Sequence, residues 1–66
     1  MLPKRTFEDL INEEIKVYIS GLPDPHCTQK GIVISVTEYL LTLRDEAHTD
    51  TIIIPLENIV FFKKLL

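Results

Sequence analysis

The sequence predicts a small, mainly β protein: a short N-terminal helix followed by a strongly bent five-stranded antiparallel barrel. Three observations lead there. Five short runs rich in Ile, Val, Leu and Phe are separated by polar, Pro- or Gly-containing breaks. Only one stretch, near the start, spaces its apolar residues as a helix does. The chain has 66 residues, so five strands share about fifty positions, and consecutive hairpins that must curve suit a small barrel.

The helix is expected over residues 6–14, "TFEDLINEE". Thr6 is a favourable N-cap, Asp9 stands near the position of a capping-box acid, and Phe7, Leu10 and Ile11 make one apolar face. The first strand is expected over 15–20, where Ile15, Val17 and Ile19 alternate with Lys16, Tyr18 and Ser20. The segment 21–30, "GLPDPHCTQK", carries two prolines and a glycine and reads as a loop. Gly31 opens the second strand, 31–36, and is the expected bending point. The third strand is expected at 40–44, the fourth at 51–55 and the fifth at 59–65. "TEY", "DEAHTD" and "LEN" are the breaks between them.

A single domain of this size buries only about 60% of its unfolded surface and needs reinforcement. One cysteine, Cys27, excludes an internal disulfide. His26 and Cys27 are adjacent and His48 is separate, which is not metal-ligand spacing. No metal and no cofactor are expected. Oligomerisation remains. The runs "III" and "IVFF" do not alternate, so both faces of those strands ask to be covered. A link as short as Leu56–Asn58 suits a sharp corner that leaves the fourth and fifth strands as edges, each open to a partner. The expected subunit interface is Ile52, Ile53, Ile54, Ile59, Val60, Phe61 and Phe62. Burying three or four such side chains at ~1.5–3 kcal/mol each would rival the stability of the chain alone. The alternative is that both runs are core strands within one chain.

Composition narrows the function classes. Net charge is −3, from seven basic and ten acidic residues, which argues against a broad grip on phosphates. No apolar run reaches the ~18 residues of a membrane span, and no apolar stretch follows Lys4 and Arg5 as in a secretory signal. An intracellular, cytoplasmic protein without membrane contact is expected. No nucleophile–base constellation, phosphate-cradling glycine loop or metal motif is present, so an enzyme is not expected. Asp45, Glu46 and Asp50 lack a calcium-loop pattern, and Glu13 and Glu14 have no convergent partner. Lys63 and Lys64 read as edge protection or as phosphate contacts.

The segment "GIVISVTEYLLTL" resembles the first motif of the Sm-like family, which includes the LSm proteins and the RNA chaperone Hfq. Gly31, Val33, Val36, Tyr39 and Leu40 match, whereas Thr37 replaces an Asp and Leu41 an Asn. "IPLENIV" resembles the second motif through Ile54, Asn58 and Ile59, with Pro55 for Arg and Leu56 for Gly. The resemblance covers residues 6–63. It implies a homo-oligomeric ring built by pairing the fourth and fifth strands of neighbours. It also implies single-stranded RNA at the ring's inner rim, with Tyr39 stacking on a base and Thr37, Glu38 and Asn58 nearby. Leu41 cannot read a base edge, and Pro55 supplies no charge. A ring that is a structural or protein-interaction scaffold, without nucleic acid, is the alternative.

Overall fold

The computed structural model describes residues 2–24, 26–45, 47 and 49–65. One helix, α1 (Lys4–Glu8), precedes five strands: β1 (Glu14–Ile19), β2 (Thr28–Val36), β3 (Leu40–Arg44), β4 (Thr51–Pro55) and β5 (Ile59–Lys64). A single 3-10 turn, Leu56–Asn58, joins β4 to β5. All pairings are antiparallel, and the sheet order is β4-β3-β2-β1-β5.

The protein is therefore mainly β with one short helix and a five-stranded antiparallel sheet. The sheet is open: β4 and β5 are its two edges, and no ladder joins them. It must nevertheless curl. Neighbouring strands lie about 4.8 Å apart, so the edges of a flat five-stranded sheet would be about 19 Å apart. The 3-10 turn that links them rises only about 2 Å per residue. Two irregularities in the ladders assist the bend, one between Val33 and Ser35 on β2 and one at Tyr18/Ile19 opposite Val60.

The inner face of the curl is the core. Ile15, Val17 and Ile19 of β1 point inward, as their alternation predicts, with Val33, Leu41, Leu43, Ile54, Leu56 and Ile59. Phe7 of α1 is fully buried and packs on Phe62 of β5, ring centroids 5.0 Å apart. The helix thus caps the open end of the core.

The boundaries expected for β3, β4 and the 56–58 turn are those observed. The helix expectation is corrected. It occupies Lys4–Glu8 with Pro3 at its N-cap, so Thr6 lies inside it. Pro3 has the extended backbone of a cap, and its carbonyl accepts the Thr6 N–H. The helix cannot continue to residue 14, because Asn12 turns to φ 74° and its N–H is taken by the Val33 carbonyl. Glu14 already belongs to β1. The loop expected over 21–30 is shorter, because β2 starts at Thr28 instead of Gly31. Thr28, Gln29 and Lys30 pair with Tyr18, Val17 and Lys16. Strand β5 ends at Lys64, one residue earlier than expected.

Candidate functional site

Three surfaces carry unpaired or chemically distinctive groups. The first is the pair of sheet edges. Of the seven expected interface residues, Ile54 and Ile59 are only 3% and 4% exposed and belong to the chain's own core. Ile52 and Phe62 pack partly against that core. Ile53 and Val60, each 60% exposed, and Phe61 face outward. Beside β4 runs a groove of about 870 Å³, bounded by Ile52, Ile53, Pro55, Leu22, Gln29 and Asn58. Its shape follows from the curl and from the β1–β2 loop, which turns back at Gly21, φ 83°.

The second surface is where the β2–β3 turn meets the β4–β5 turn. The Thr37 hydroxyl accepts the backbone N–H groups of Tyr39 (3.3 Å) and Leu40 (3.1 Å), a local turn brace that threonine supplies well. The Leu56 N–H donates to the Tyr39 carbonyl at 2.8 Å. The Asn58 carbonyl accepts the Ser20 N–H at 2.8 Å and its hydroxyl at 3.3 Å, tying the same turn to the end of β1. The backbone therefore holds Tyr39 firmly while its side chain stays 70% exposed. Tyr39, Leu40, Pro55 and Glu57 line a cleft of about 330 Å³. The structure thus brings Thr37, Glu38 and Tyr39 to the turn that holds Asn58. Both turns together contain two glutamates and no lysine, arginine or histidine.

The third surface is the outer face of β2, β1 and β5; the sequence offers Lys63 as a phosphate contact but not its alignment with Lys16 and Lys30. Lys16 lies directly opposite Lys30 on one side and Lys63 on the other. In the next row Tyr18 lies between Thr28 and Phe61. The Tyr18 and Phe61 rings stack, centroids 4.2 Å apart and planes at 15°. The ammonium groups of Lys16 and Lys63 stand 5.7 and 5.9 Å from the Tyr18 ring centroid. Like charges placed directly opposite one another destabilise a sheet. Lys30 reaches Glu14 at 4.0 Å, but among the described residues no carboxylate pairs with Lys16 or Lys63. The ring quadrupole of Tyr18 offsets part of that repulsion.

Several other polar groups make local contacts. Lys64 pairs with Glu13 at 3.3 Å and pins the end of β5 to the turn after the helix. Lys4 and Arg5 lie exposed on α1. The Cys27 thiol donates to Asp24 Oδ1 at 2.7 Å. Asp45 Oδ1 accepts the Ala47 N–H, while Glu46 and His48 lie outside the described residues. Among the described residues no three His, Cys, Asp or Glu side chains converge as a metal site, and no helix is long and apolar enough to cross a membrane. Comparison with known proteins gives no match to a family model, a curated protein or a solved structure.

Proposed function

We propose that this chain is a non-catalytic, Sm-like subunit that assembles with copies of itself and binds single-stranded RNA. The observation that supports assembly most is the sheet order. It leaves β4 and β5 as free edges of one sheet, with Ile53, Val60 and Phe61 exposed along them. Bare apolar edges are templates for pairing, and a head-to-tail β4-to-β5 contact closes into a ring when the rotation fits. The groove beside β4 is the seat for the incoming β5.

For RNA, the resemblance points to Tyr39 and Asn58, but charge favours the outer face. Glu38 and Glu57 repel phosphate at the Tyr39 cleft. The Lys30–Lys16–Lys63 row attracts it, and Phe61 offers a partly exposed ring for base stacking, an interaction of about 1–3 kcal/mol per base. Copies in a ring multiply such contacts. The second reading, a scaffold without nucleic acid, is favoured by the two glutamates at the cleft and by the net charge of −3.

Light scattering on the purified protein, followed by titration of labelled oligouridine and oligoadenine at two salt concentrations, tests both parts. The expected result is a discrete multiple of the 7.6 kDa chain and RNA binding that weakens as salt rises. A monomer at micromolar concentration overturns the assembly. A defined oligomer that ignores both oligonucleotides at low salt leaves the scaffold.

A further inference from the structure

The cleft at Tyr39 has the opposite chemistry from the outer face, and it lies within one chain, so it does not depend on assembly. Two of its four lining residues are apolar: Leu40, itself exposed, and Pro55. Tyr39 and Glu57 complete its lining. Glu38 is the residue next to Tyr39 and is exposed in the same turn. Among the described residues neither glutamate has an ion-pair partner. An exposed tyrosine on a loose loop would mean little. Here the backbone beneath it is braced twice, by the Thr37 hydroxyl and by the Leu56 N–H. The point from which the ring projects is therefore fixed before anything binds, so docking has only the side-chain torsions left to order.

We infer that this cleft binds a protein partner through a basic peptide segment, with an arginine side chain laid on the Tyr39 ring and its guanidinium turned toward Glu57. Charge complementarity selects the class of partner. The face of an aromatic ring attracts cations, most often arginine. A carboxylate in the lining accepts the planar guanidinium fork. The apolar part of the lining packs the methylene stem and an adjoining apolar residue. The cleft's volume, about 330 Å³, is at the small end of ligand sites and suits one side chain with its neighbour. A phosphate would meet the Glu57 carboxylate, with Glu38 in the adjoining turn, and no lining cation. The protein would thus carry an anion-attracting outer face and a separate cation-attracting cleft.

The test uses the 15N-labelled full chain and the peptide acetyl-Gly-Leu-Arg-Leu-Gly-amide, with a control peptide in which neutral citrulline replaces arginine. The expected result is movement of the Tyr39, Leu40 and Glu57 amide signals with the arginine peptide, and about tenfold weaker binding of the citrulline peptide. Tyr39→Ala and Glu57→Gln each weaken the arginine peptide about tenfold, while Tyr39→Phe keeps the ring and the affinity. Both positions are exposed, so unchanged signals elsewhere verify the fold of each variant. Equal binding of the two peptides, signal changes confined to other residues, or no change at millimolar peptide overturns the inference. So does oligouridine moving the same three amides, which would make the cleft a nucleotide site. RNA binding at the outer face is read separately from the signals of Lys16, Tyr18 and Lys63.

Discussion

A methyl group added at Gly31 would stand 2.7 Å from the carbonyl oxygen of Arg44 and 3.2 Å from the Leu43 Cβ. Strands β2 and β3 meet there more closely than any side chain allows. The obstructing atom is backbone, which cannot swing aside. Gly31→Ala should lower stability by about 1–3 kcal/mol, as overpacking does, seen as a lower urea midpoint. An unchanged midpoint would mean that the close approach is not required.

Core and edge positions should separate cleanly. Leu41 is fully buried, whereas Ile53 on β4 is exposed. Leu41→Ala should cost about 2–5 kcal/mol through the cavity it leaves, enough to unfold much of so small a domain. Ile53→Ala should alter the stability of the isolated chain by no more than about 0.5 kcal/mol. Denaturant titration of dilute samples measures both.

Assembly should fail when the edge is charged. Ile53→Lys places an ammonium on the β4 rim, a common natural guard against strand pairing. The far-ultraviolet circular dichroism should be retained while light scattering falls to the mass of one chain. Persistence of the oligomer would move the interface off this edge.

The Thr37 brace should be visible in local opening. Thr37→Val removes the acceptor of the Tyr39 and Leu40 N–H groups. Hydrogen exchange at those two amides should quicken, with a loss of global stability of about 0.5–1.5 kcal/mol at most, because water replaces an exposed acceptor.

RNA binding through the outer face predicts a salt signature. Each lysine that neutralises a phosphate contributes about 0.7 to the slope of log affinity against log salt for a single strand. Lys16→Gln combined with Lys63→Gln should flatten that slope by about 1.4. A variant with an unaltered slope would put the phosphates elsewhere.

Strands with one inward apolar set were legible from sequence. The alternation of Ile15, Val17 and Ile19 located β1, and Pro55 located the end of β4. The start of β2 was not legible, because Thr28, Gln29 and Lys30 carry no apolar signal; pairing with β1 makes them a strand. The helix is shorter than its pattern suggests, because Leu10 and Ile11 fall at helical spacing yet the backbone turns to positive φ at Asn12. The Tyr39 cleft is half legible: the turn residues stand out in the sequence, whereas nothing in it joins Glu57 to them before the two turns meet. The lysine row was invisible, since only the register of three strands brings positions 16, 30 and 63 together.

The three-residue link between opposite edges has a mechanical result. Tether length limits how far the arc can open, in addition to the two ladder irregularities and the packed inner face. Splicing glycine and serine residues into the 56–58 corner would let the sheet unroll and draw the Phe7 cap away from its seat. The corner works as a bowstring, and its length limits the bow.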